Sequence, residues 1–276
     1  MDAHAAAATL SVADPAAMEA AAVVHPGFDV LREMARGGLA GLLVGIVVGG
    51  IGGRLLMRGA ALLEPKAAGL RTENDNVIGA ITFDGTLALL IFSGLLTGVI
   101  IGSLWVVIHP WLPRRPVLRA LVAIPIAVAM GTTLLIQDTN PDFIILRRNL
   151  VVVAALVALV ALTGPSMVLA ESVLDRLLPV VRRRGPALIA YAVVDAVGAL
   201  LVLVLVVPLY LLSPLAIAGF AFVIAGIGSV AHWVGRLRER AEPPWIAPVA
   251  RGALGIGTLA GLAVAIPEVV GAANLG

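Results

Sequence analysis

Cysteine is absent from this chain, and only one lysine, four histidines and 4% aromatic residues occur among its 276 residues. The missing cysteines exclude disulfides, thiolate nucleophiles, iron–sulfur clusters and cysteine-ligated zinc together. The single lysine, Lys66, lies between apolar runs and not within the last of them, so no retinal Schiff base can form on a final helix. Two of the four histidines fall in the N-terminal stretch, which leaves too few for a zinc site. Charge is also scarce: Asp, Glu, Lys and Arg make up 13% of the chain, about half of the ~25% usual in a soluble domain. No P-loop, no GxGxxG after a strand and no HExxH motif is present.

What fills the chain instead is apolar sequence, 60% of residues with a mean hydropathy of +1.05. Apolar runs of the ~18 or more residues needed to cross a hydrocarbon core recur along it. Broken by charge and proline, they predict an all-α polytopic membrane bundle of about seven transmembrane helices, over 37–63, 86–108, 117–136, 150–170, 187–208, 215–234 and 252–270. Residues 1–30 read as an Ala-rich cytoplasmic arm, disordered or loosely helical, and 31–276 as the seven-helix domain. The arm has neither a basic start nor a continuous apolar core, so it does not read as a cleaved signal peptide.

The charge pattern orients this path. An alternating route puts Arg32, Arg36, Arg114, Arg115, Arg119, Arg176, Arg182, Arg183, Arg184, Arg236, Arg238, Arg240 and Arg251 on one side, thirteen of the nineteen basic residues. Basic residues next to spans favour the cytoplasm, so the N-terminus is expected inside and the C-terminus outside, in a bacterial inner (cell) membrane. The tryptophans at 105, 111, 233 and 245 fall near the same inner boundary, where amphipathic rings anchor. A sequence pI near 9.6 accompanies a net charge of only +2. The arginines therefore mark topology, and no nucleic-acid partner is expected; the lipid bilayer is the expected surroundings.

The segment GGLAGLLVGIVVGGIGGRLLMRG holds the densest pattern. Gly37, Gly41, Gly45, Gly49 and Gly53 recur every fourth residue, which places them on one helix face and opens a groove for a neighbouring backbone. Gly94, Gly98 and Gly102 repeat the spacing in the second span, and Ala253, Gly257, Gly261 and Ala265 in the seventh. The first, second and seventh helices are thus expected to form the tight core, with association between copies as the sharper alternative. Arg54 and Arg58 end the first ladder near the outer boundary. They are either interfacial anchors or, as two guanidiniums at i and i+4, an outer-mouth site for an anion or lipid headgroup.

Asp195, in YAVVDAVGALL, lies ~12 Å inside the fifth span and is the candidate intramembrane polar site, as a proton or cation relay or as a structural hydrogen bond. His109 and His232 close helices on the inner side, and Glu171 lies at their level, which allows an inner polar cluster; paired haem ligation by the two histidines is a remote reading, and no cofactor is expected. A serine protease of the rhomboid kind is excluded, because Ser93 lacks the preceding glycine of GxSG and Ser229 shares a helix with His232. The outer loop EPKAAGLRTENDNVIGAITFDGT is expected to fold back on the bundle mouth, and ESVLDRLLPVVRRR to lie as an interfacial helix.

These readings support a non-enzymatic structural or interaction subunit, with other membrane subunits or a second copy as candidate partners. A small transporter or channel using Asp195, Arg54 and Arg58 is the alternative. A lipid-modifying enzyme using outer carboxylates such as Asp84, Asp138 and Asp142 comes third.

Overall fold

An apolar chain that must satisfy its own backbone folds into helices, and among the described residues no strand forms beyond an isolated bridge between Arg71 and Val77. The computed structural model describes residues 26–71, 77–79, 83–136, 145, 150–181, 185–201, 203–204 and 216–274. Most of the expected arm, nearly all of the second outer loop with Asp138 and Asp142, and the expected turn between the fifth and sixth helices lie outside them.

We number seven helical runs in chain order. α1 comprises Pro26–Val44, a π segment Gly45–Gly52 and Gly53–Leu63. α2 comprises Phe83–Ala88, a π segment Leu89–Leu96, Thr97–Ile108 and a 3-10 turn His109–Trp111. α3 is Pro116–Leu135, α4 Leu150–Leu177, α5 Pro186–Leu201, α6 Ala216–Leu237 and α7 Ile246–Asn274. Five of these runs contain helix long and apolar enough to cross a membrane: Gly27–Leu63, Gly94–Trp111, Pro116–Thr133, Leu150–Leu177 and Ile246–Ala273. Pro186–Leu201 and Val223–Leu237 are shorter apolar helices. α1 starts within the expected arm because Pro26 suits a first helical turn and Asp29 lies in that turn, at the positive end of the helix.

α1 and α2 meet through backbone. A Cβ added at Gly41 would fall on the backbone of Gly102, and one at Gly45 on Gly98 and the Gly94 carbonyl. The four-residue ladder does not run straight, however. From Gly45 the helix bonds i to i+5, so the face advances by five residues and Gly50 meets Leu90 and Gly94 of the second π segment. Gly53 looks into open space. Gly37, at the other end, faces the Val106 and Trp105 side chains. In the α7 ladder Gly257 is buried, and Gly261 lies against Ala129 of α3.

The main core collects Ala40, Val44 and Val48 from α1, Trp105, Ile108 and Trp111 from α2 and Ile246, Ala250 and Leu254 from α7, with smaller contributions from α3, α4 and α6. α5 stays on the flank. Its one buried residue, Tyr191, packs with Ala35 and Val181. The first outer loop does fold back, as Ile78 is buried among Ala60, Ala61, Ala67 and Val152 and exchanges backbone hydrogen bonds with Gly69 and Leu70. Phe83, expected to join it, is exposed. The expected interfacial helix is instead the continuous end of α4, followed by a stretch that tucks Val181 under α1.

Candidate functional site

Burying a carboxylate in an apolar bundle is unfavourable unless cations and donors surround it. At the end of the bundle that holds the start of α1, Glu171 is only 5% exposed and meets that condition three times. Its Oε1 accepts from Nη2 of Arg36 at 3.0 Å and lies 3.1 Å from Nε2 of His109, while Oε2 accepts from Nη1 of Arg119 at 3.0 Å. One turn further along α4, Oδ1 of Asp175 accepts from Arg32 at 2.9 Å and from Arg36 at 2.5 Å. Glu33 extends the network, 3.8 Å from Arg36 and in an ion pair with Arg236 of α6. Five helices, α1, α2, α3, α4 and α6, are thereby joined at one level.

The same end ties helix termini together. Arg32 also donates to the carbonyls of Asp175 at 2.7 Å and Leu178 at 3.0 Å, which caps the acceptors that the end of α4 leaves open. Ser229 and Trp233 of α6 donate to the Val107 and Val106 carbonyls of α2, Arg251 of α7 to that of Trp111, and Tyr191 of α5 to that of Pro179 at 2.9 Å. All seven of these helices therefore take part in contacts at this level. We call it the basic end.

His232 does not join His109. Its Nδ1 lies 3.0 Å from Glu242, and its ring stands edge-on to Trp111 and Trp233. Each histidine is turned to a different carboxylate, a geometry unlike a facing axial pair. Among the described residues no group of three His, Asp or Glu is placed to hold a metal ion.

The other candidates stand apart. Asp195 lies on α5 one turn beyond Tyr191, and its Oδ2 is buried without a hydrogen-bond partner among the described residues. At the far end Arg58 donates to the Gly79 carbonyl at 2.5 Å and so pins the first outer loop, whose turns use positive φ at Gly69 and Gly79. Arg54 is not free either. The structure thus brings the guanidiniums of the far end to protein groups and leaves Asp195 remote from them.

Sequence reasoning had Glu171 and His109 at one level but missed the pairing that dominates there. Its signal is present: Arg32 and Arg36 are four residues apart on α1, and Glu171 and Asp175 four apart on α4, so two charged helix faces match in register. It also missed Gly164, where a Cβ would lie 2.8 Å from the Ala123 backbone and which lets α4 approach α3. No family matches the chain, and neither a curated protein nor a solved structure is significantly similar to it.

Proposed function

We propose that the chain is a multi-pass protein of a cell membrane, crossing seven times with its N-terminus inside, and that it acts as a structural or interaction subunit rather than as an enzyme. The observation that carries this reading is the division of the bundle. The carboxylates at the basic end are engaged by neighbouring cations, the α1–α2 seam is filled by backbone, and large apolar side chains such as Leu55, Leu162 and Leu259 face outward. The reading takes the basic end as the cytoplasmic one, since an alternating path read from the sequence assigns thirteen of the nineteen basic residues to the side of the N-terminus.

The test combines isolation and labelling. Extracted from native membranes in mild detergent, the protein should migrate as an assembly larger than one chain; recovery as a lone monomer counts against the subunit role. Because the chain has no cysteine, single-cysteine variants report topology without background. A cysteine at Gly276 should react with an impermeant reagent outside intact cells and one at Asp2 should not.

A second reading, a small transporter or channel, is favoured by the unpartnered Oδ2 of Asp195. It would use Asp195 for a proton or cation and Arg54 and Arg58 at the outer mouth. In proteoliposomes, Asp195→Asn would abolish flux on this reading; flux unchanged by the substitution removes Asp195 from any transport role.

A further inference from the structure

Two groups of arginines are set apart at the basic end. Arg32, Arg36, Arg119 and Arg236 are paired with carboxylates of neighbouring helices. Arg114, Arg115 and Arg176 are exposed and form no ion pair among the described residues. The buried pair between Arg119 and Glu171 fixes where this second group lies. Arg115 is the residue preceding α3, one turn before Arg119, whose Nε holds the loop by donating to the Pro113 carbonyl at 3.1 Å; Arg176 lies about one and a half turns beyond Glu171 on α4. Arg115 and Arg176 therefore lie ~6–8 Å past the ion pair along the helix axes, at the adjoining ends of α3 and α4 that form one lip of the bundle, with Arg114 next to Arg115 in the chain.

Directly below the lip the outward faces are apolar, with Val117, Leu118 and Leu121 exposed on α3 and Leu169 and Val173 on α4. Asp175, next to Arg176 in the chain, is already held by Arg32 and Arg36. The loop between α6 and α7 differs: Arg238 and Arg240 alternate there with Glu239 and Glu242, so its charge is largely balanced.

We propose that the α3–α4 lip is a binding surface for anionic phospholipid of the adjoining leaflet, with the phosphate and its charged headgroup on Arg114, Arg115 and Arg176 and the acyl chains along the exposed leucine and valine face. Guanidinium recognises phosphate oxygens through paired N–H donors, and cations at the rim of an apolar belt match the geometry of an anionic lipid. The proposal rests on the reading of the chain as a membrane protein.

The full chain is reconstituted in nanodiscs of equal phosphatidylglycerol and phosphatidylcholine, and the lipid retained after mild detergent release is measured by native mass spectrometry. Wild type should retain phosphatidylglycerol preferentially, and Arg114→Gln/Arg115→Gln/Arg176→Gln should lose that preference, by about fivefold for each guanidinium removed. Arg238→Gln/Arg240→Gln should retain it. The three side chains are exposed, so thermal unfolding of the variant should match wild type; if the triple variant is misfolded, Arg176→Gln alone gives the reading and should show a single step of loss. Retention equal to wild type in the folded variant, or displacement by inorganic phosphate alone, overturns the lipid site. A wild-type chain that enters no disc overturns the membrane reading and the proposal with it.

Discussion

The α1–α2 seam and the α5 flank are both helix-on-helix contacts within one bundle, yet they are built on opposite terms. Along the seam, Gly41, Gly45, Gly98 and Gly102 leave so little space that one added carbon meets backbone. At its basic end the seam continues into Arg36 and His109, both on Glu171. α5 buries only Tyr191, leaves Ile189, Val193, Val197 and Leu200 exposed, and carries Asp195 with an unpartnered oxygen. Where lipid is as apolar as the helix, association comes from close packing and hydrogen bonds. By that measure α1 and α2 are fixed to each other while α5 is loosely held, so any movement of the bundle should begin at α5.

Substitutions that strike the tight half should have the largest effects. Glu171→Ala leaves Arg36, Arg119 and His109 without their shared acceptor; removing one partner of a buried ion pair costs ~3–5 kcal/mol. Thermal unfolding in detergent should drop steeply, and a melting temperature equal to wild type would mean that the network does not hold the helices. Gly45→Ala comes next. Its methyl group would have to push the Gly98 backbone away, at an overpacking cost of ~1–3 kcal/mol. Gly50→Ala on the adjacent turn should cost less, because the added carbon would meet the end of the Leu90 side chain at 3.1 Å, which can move, and not backbone; equal losses at 45 and 50 would mean that the π segment is packed as closely as the turn before it.

How much of this was legible in the sequence follows from the range of the signals. Hydropathy and glycine spacing are local, so the helices, the facing of Gly41 and Gly45 toward α2, and the return of Ile78 onto the bundle could be read. The π segments could not, since a backbone that bonds i to i+5 carries the same residues as one that bonds i to i+4, and Gly49 and Gly50 are both glycine. Nor could the partner of the α7 ladder: small residues announce a close approach without naming the neighbour, which proves to be Ala129 of α3. The network at the basic end was half visible. Level was computable from helix depth, and Glu171 with His109 followed; the match of Arg32 and Arg36 to Glu171 and Asp175 needed α1 and α4 to be adjacent, a fact of tertiary packing.

The loose half gives smaller and more discriminating effects. Tyr191→Phe keeps the ring that packs on Ala35 but removes the donor to the Pro179 carbonyl, a loss of ~1 kcal/mol that should appear as faster hydrogen exchange in α5 with the α1–α2 seam unaltered. Gly198→Ala, further along α5, has nothing within 4 Å of the added carbon. In a helix interior glycine is worse than alanine by ~0.5–1 kcal/mol, so here the same chemical change that damages position 45 should raise the melting temperature slightly. The two glycine-to-alanine variants thus read the two contacts with one probe: opposite signs support a fixed seam and a loose flank. A loss at 198 comparable to that at 45 would mean that α5 packs against a surface as closely as α1 does, and the expectation that motion starts there would fail.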